Sequence, residues 1–228
     1  GNELDLKYTN TRVWDAVEEL AKFIHEADPN HPTSTVLAGI DPAKIHMVRT
    51  RCPNIDVLGV NAYGSIEKLP LNIRRYGWNK PYIVTEWGVN GPFEAPTTSW
   101  GAKKEPPGGA KASTRLRRYE SIIAADSSMC LGSYCFLWGQ KQESTATWHG
   151  MFLNNGNPTE AVDVMHYCWK GSWPENRAPS ILSINLNGLK WGENHILSPE
   201  TSVSLELDYD NYNNKEKRKS EDKISVPR

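Results

Sequence analysis

Four short apolar runs, each set apart from the next by a stretch with helical spacing, limit this chain to folds in which helices cover a parallel sheet. The runs are Thr35 to Ile40, Ile55 to Val60, Tyr82 to Glu86 and Leu131 to Trp138. Strands that are apolar along their whole length need cover on both faces, the condition of parallel strands joined by helical crossovers. Between them, Val13, Val17, Leu20, Ala21 and Ile24 recur at helical spacing until Asp28-Pro29 stops the run. Shorter helical stretches are expected over Ala43 to Arg51 and Ile66 to Tyr76. A longer one is expected over Thr114 to Ala125, using Leu116, Tyr119, Ile122 and Ile123. A last helix is expected from Pro158 to Gly171, burying Val162, Met165, His166 and Trp169. The fold class is α/β.

A complete (β/α)₈ TIM barrel needs roughly 250 residues. The barrel-like portion, residues 1–172, ends near Trp173, so about half of one is present. A proline-punctuated linker, 173–179, follows. Beyond it Leu182, Ile184 and Leu186, then Val203, Leu205 and Leu207, alternate with polar residues, as half-buried antiparallel strands do. Residues 180–228 are expected to form a partial all-β, Ig-like sandwich, with the charge run Asn213 to Lys223 as a solvated loop or disordered tail.

A net charge of −1, spread along the chain, provides no phosphate-tracking surface and argues against nucleic acid. Nine Trp and nine Tyr, several beside Gly, Asn or Thr, favour a flat hydroxyl-bearing ligand such as a sugar. Cys52, Cys130, Cys135 and Cys168 form no CxxC pair and stand at no metal spacing, and are expected as buried free thiols. No metal or other cofactor is expected, and no apolar run is long enough to span a bilayer.

Two carboxylates stand where barrel strands deliver side chains to the C-terminal rim. Glu3 lies in Gly1-Asn2-Glu3-Leu4, and Glu86 closes Tyr82-Ile83-Val84-Thr85-Glu86-Trp87-Gly88. Three strand–helix steps separate them. On these residues the chain resembles clan A glycoside hydrolases, the group of family 2 and family 5 enzymes, in which Asn-Glu closes strand four and a second Glu closes strand seven. The resemblance implies that residues 1–172 are the C-terminal half of a TIM barrel, from the end of strand four through strand eight, with Glu3 as acid/base, Glu86 as nucleophile and Asn2 as a contact to the sugar 2-hydroxyl. In Asn61-Ala62-Tyr63, Tyr63 would hydrogen-bond the nucleophile and Asn61 would join the substrate site. Trp138 matches the eighth-strand indole that floors the sugar subsite. Trp87, Trp100 and Trp148 are further candidates for sugar contact, with core packing as the other reading of such aromatics.

Glycosidic cleavage of this kind needs one carboxyl that holds a proton while a second stays charged, ~5 to 5.5 Å apart in retaining enzymes. The resemblance therefore implies a retaining hydrolase of β-glycosidic bonds acting on an oligo- or polysaccharide. A transglycosylase on a β-glucan-like substrate, or an inactive carbohydrate-binding or adhesion protein, would share the same residues. The long loop Val89 to Ser113 would wall the cleft. Upstream sequence or a partner chain is expected to complete the barrel, and the family resemblance alone favours a secreted, periplasmic or cell-surface location.

Overall fold

The computed structural model describes residues 1–6, 10–190, 193 and 202–213, and the backbone of 216–225. The chain divides into two compact units, residues 1–88 with 117–136, and residues 89–116 with 137–228. The division does not follow the proline linker.

The first unit is a parallel sheet of β1 (Ser34–Ala38), β2 (Val57–Asn61), β3 (Tyr82–Trp87) and β4 (Cys130–Cys135), in that order. All four apolar runs form strands. Leu37, Leu58, Val60, Tyr82 and Val84 are buried, as expected for strands covered on both sides. Gly59 is required at its place in β2, because a Cβ there would lie 2.7 Å from the Val36 side chain and 3.1 Å from both the Thr35 carbonyl and the Thr85 methyl. Helix α1 (Arg12–Ala27) precedes β1, and α2 (Pro42–Arg51) joins β1 to β2. Helix α2 starts sharply because Pro42 occupies its first turn and the Asp41 carboxylate accepts from Lys44 N at 2.8 Å. The expected helix over Ile66 to Tyr76 is a 3₁₀ turn, Gly64–Lys68, followed by α3 (Leu69–Arg75), with Pro70 at the junction. The apolar face of α1 is rotated from the expected one: Trp14 and Ala21 are buried, whereas Leu20, Phe23 and Ile24 are 61%, 65% and 40% exposed.

Helix α4 (Gly108–Arg118) begins six residues before the expected start. The Pro-Pro-Gly-Gly stretch reads as a chain break by composition. Instead, Pro107 sets the first turn, its carbonyl accepting from Lys111 N at 3.0 Å. The helix ends in a π turn, Tyr119–Ile123, and a 3₁₀ turn, Ala124–Asp126. The loop after Trp87 is correspondingly shorter than the sequence implied.

In the second unit, α5 (Glu160–Lys170) is capped by the Thr159 hydroxyl and stopped by Gly171 in a left-handed conformation. Its buried face is Ala161, Val164 and Met165; Val162 and His166 are half-buried and Trp169 is 54% exposed, which corrects their expected burial. Strands β5 (Ser180–Leu186), β6 (Leu189–Lys190), β7 (Ser202–Asn211) and β8 (Glu216–Ser225) form an antiparallel sheet in the order β6-β5-β7-β8. Asn187-Gly188, both at positive φ, makes the two-residue β5–β6 hairpin. Of the charge run expected as a loop or disordered tail, residues 214 and 215 lie outside the described residues and 216–223 pair along β7 within β8, since backbone pairing does not depend on the side-chain polarity that marked the segment as solvated. The residues before β5 are fastened as well. Ala178 N donates to Asp163 at 2.7 Å, and the Arg177 guanidinium lies between the rings of Trp173 and Tyr212, 3.8 and 3.6 Å from their centroids. Cys52 and Cys130 are buried free thiols, while Cys135 and Cys168 are half-buried.

Candidate active site

Strand register places the site. Ala38 pairs with Asn61, and Asn61 with Glu86, so β1, β2 and β3 end in one row at the C-terminal edge of the sheet. Gly1 to Glu3 extends that row past β1: Asn2 bridges Val36 in parallel, and Glu3 N donates to the Val36 carbonyl at 3.0 Å. The side chain of Asp5, 3% exposed, fixes the neighbouring end of β1 by accepting from Ala38 N at 3.0 Å and pairing with Lys44 at 2.6 Å.

Glu3 has φ +51°, a left-handed conformation that costs a non-glycine residue on the order of 1 kcal/mol or more and persists only where the surroundings enforce it. Its Oε1 accepts from Asn61 Nδ2 at 2.8 Å. The same amide nitrogen donates to Asn2 Oδ1 at 3.2 Å. Two residues along the chain, Tyr63 donates its hydroxyl to Glu86 Oε2 at 3.0 Å. Glu3 and Glu86 are both half-buried, so each is held yet reachable. Five of the expected residues, Asn2, Glu3, Asn61, Tyr63 and Glu86, are thus connected through the end of β2.

The register slips by one residue between Val60 and Asn61, so that Thr85 and Glu86 together face the end of β2. Bulges of this kind re-aim side chains beside active sites. Thr85 Oγ1 donates to Asn61 Oδ1 at 2.7 Å, while Glu86 accepts from Tyr63. Thr85 carries no signal in the sequence beyond its place beside Glu86.

Trp87 is fully buried, stacked on Tyr119 with centroids 6.2 Å apart. Trp148 is also fully buried, its indole N–H donating to the Asn90 carbonyl at 2.9 Å. Neither offers a ring face to a ligand, which corrects their reading as sugar contacts. Just beyond β3, the buried Arg118 donates to the Gly88 carbonyl at 2.8 Å and to Glu67 at 2.9 Å. Hydrogen bonding by Arg117, then by Arg118, holds the Glu67 carboxyl down to about 2. Trp100 and Trp138 belong to the second unit and are 59% and 62% exposed. Strand β4 ends at Cys135, so Trp138 stands on the chain beyond it, with Phe152 edge-on at 4.9 Å and Trp169 at 6.2 Å. Among the described residues, no group of three or more His, Cys, Asp or Glu is arranged to hold a metal ion, and no helix is long and apolar enough to cross a membrane.

No protein-family model and no curated protein matches the chain. Among solved structures it is similar to a glycoside hydrolase family 5 mannosidase from Rhizomucor miehei, at 17% identity over 64% of this chain and 41% of that one, TM-score 0.42. An exo-beta-agarase is similar at 13% identity over 70% of this chain and 23% of that one, TM-score 0.46. The GH51 alpha-L-arabinofuranosidase from Thermotoga petrophila RKU-1 is similar at 10% identity over 96% of this chain, TM-score 0.50. The likeness is one of fold. With the parallel sheet, the last of these supports an α/β fold shared with that arabinofuranosidase. The chain spans 59% of that arabinofuranosidase and less of the other two.

Proposed function

We propose that the chain carries the catalytic carboxylates of a retaining glycoside hydrolase that cleaves β-glycosidic bonds in an oligo- or polysaccharide, with Glu3 as acid/base and Glu86 as nucleophile. The observation that supports this best is the pair of hydrogen bonds, Asn61 to Glu3 and Tyr63 to Glu86, that gathers both carboxylates around one strand end. In the first step Glu3 gives its proton to the glycosidic oxygen as Glu86 attacks the anomeric carbon, the bond to the leaving group breaks, and a glycosyl ester forms. Tyr63 occupies Oε2 of Glu86, which leaves Oε1 for the attack. In the second step Glu3 takes a proton from water, water attacks the same carbon, and Glu86 is released as carboxylate. Exposed Trp138 and Trp100 are the aromatic candidates for sugar contact, and Asn2 the candidate for the 2-hydroxyl. Incubation of the natural full-length protein with aryl β-glycosides is expected to release the β-anomer first, seen by ¹H NMR. An α-anomer as first product would exclude double displacement, and absence of turnover would favour the carbohydrate-binding reading. Products lengthened by an acceptor sugar would favour transglycosylation.

The reading extends to the architecture. Residues 1–172 act as the C-terminal half of a (β/α)₈ barrel, 173–179 as a linker and 180–228 as part of an Ig-like sandwich, with the remaining barrel strands supplied by the same polypeptide or a partner chain. Supporting this, α1 carries Leu20, Phe23 and Ile24 uncovered, and an apolar helix face calls for further packing. Intact mass spectrometry with light scattering on the protein from its natural source is expected to show more mass than these 228 residues provide. A monomer of this chain alone that hydrolyses glycosides would sink the idea.

A further inference from the structure

We infer that Thr85 and Asn61 form a positioning relay that dictates which oxygen of Glu3 carries its proton. The inference rests on the assignment of Glu3 as acid/base and concerns residues to which that assignment gives no such part. An ionised carboxylate only accepts hydrogen bonds, so the group facing Glu3 Oε1 at 2.8 Å must be the amide nitrogen of Asn61. Its second hydrogen lies toward Asn2 Oδ1, also an acceptor, at 3.2 Å. The Asn61 oxygen therefore faces Thr85, whose hydroxyl has to be the donor across 2.7 Å. Both ends of the Asn61 amide are thus engaged and the residue is 4% exposed, so it sets Glu3 rather than touching a sugar. When Glu3 takes up a proton, Oε1 must stay an acceptor to keep the Asn61 bond. The proton is consequently confined to Oε2. The one-residue slip of register opposite Asn61 is what turns Thr85 toward the relay while its neighbour Glu86 meets Tyr63.

The relay has a signature independent of turnover. In ¹⁵N–¹H spectra of the natural full-length protein, one side-chain amide pair, assigned to Asn61 by its absence in Asn61→Asp, is expected to shift with pH. The pH response should vanish in Glu3→Gln, the pair should be displaced in Thr85→Val, and Thr85→Ser should restore it. An Asn61 amide indifferent to either Glu3→Gln or Thr85→Val overturns the relay. In kinetics, Thr85→Val should lower kcat by about tenfold on glycosides with poor leaving groups, with a smaller loss on activated ones and KM unchanged, because proton delivery matters most where the leaving oxygen is basic. Thr85→Ser should recover the rate. Equal losses for all leaving groups, or no recovery with Ser, would also overturn it. A wild-type protein that shows the amide signature yet hydrolyses no glycoside supports the relay while refuting the hydrolase reading, so the two failures are distinguishable.

Discussion

Replacing Glu86 by Gln is expected to lower kcat on aryl β-glycosides on the order of a thousandfold or more, with the fold intact. The amide has nearly the volume of the carboxylate, and its oxygen can still accept from Tyr63, so the strand end keeps its 3.0 Å contact. On the proposed assignment, what is lost is the charged oxygen that attacks the anomeric carbon. Added azide separates the roles of the two carboxylates. In Glu86→Ala, which opens the space the carboxylate filled, azide takes the place of the nucleophile and attacks opposite the leaving group, so the glycosyl azide is inverted. With Glu3→Gln the glycosyl ester still forms from activated substrates, and azide then displaces it; two inversions return the original configuration. The stereochemistry of the two azides, read by NMR, is the measurement. Near-normal activity in Glu86→Gln would remove it as nucleophile, and identical azide products from both variants would contradict the division of labour.

The parallel sheet was legible because its signal is local. Apolar runs such as Ile55 to Val60 can be buried only with cover on both faces, and the structure makes each of the four a strand. Helix existence was equally legible, and helix rotation was not. On α1, Leu20 and Ile24 fit the helical period as well as Trp14 does, and the sequence alone does not tell which side of the stripe meets the sheet; the structure buries Trp14 and leaves the other two exposed. Helix α4 was read six residues short because Gly108 and Gly109 lower helix propensity. Both stand where a Cβ would collide, one with the Glu160 carboxylate at 2.6 Å and the other with Ser180 Oγ at 2.4 Å. Close approach, a tertiary fact, selects glycine there.

The site shows the same division. Glu3, Glu86 and Tyr63 stand out in the sequence by the chain order of a known constellation, and the structure gathers them around the end of β2, with Tyr63 donating to Glu86 and Asn61 to Glu3. The contact of Asn61 with Glu3 is not legible, because the two lie 58 residues apart and no local pattern announces that hydrogen bond. Thr85 is not legible at all. In an unbulged strand it would point away from the face that Glu86 serves, and the slip that turns it is invisible in the residue order. Tryptophan burial is not legible, because an indole beside or near a glycine reads as a loop residue whether it is buried, as Trp87 and Trp148 are, or exposed, as Trp100 and Trp138 are.

Stability is expected to fall as pH drops from about 6.5 to about 4, through one buried imidazole. His149 is 1% exposed, and its ring is pushed down to about 4, by burial first. Glu143 opposes the shift, and the charges of Arg115, Lys141 and Lys111 add to it. In this window the unfolded chain, whose histidines titrate near 6.5, binds a proton that folded His149 refuses. The folded pKa is the depressed one, so the contribution is fully present above about 6.5 and is lost progressively as pH falls toward about 4. The full difference amounts to roughly 3 kcal/mol, of which about 2 kcal/mol is lost by pH 5. Glu67, held to about 2 by Arg117 and Arg118, loses its contribution only below the ordinary glutamate range, so it does not mask the effect at pH 5. Urea unfolding at pH 7, 6 and 5 checks the expectation against His149→Gln, which keeps a polar side chain of similar size but cannot take up the proton. The wild-type midpoint should fall steeply over this range and that of the variant should stay nearly level. Parallel decline of the two would mean that His149 titrates in the folded protein as it does in water.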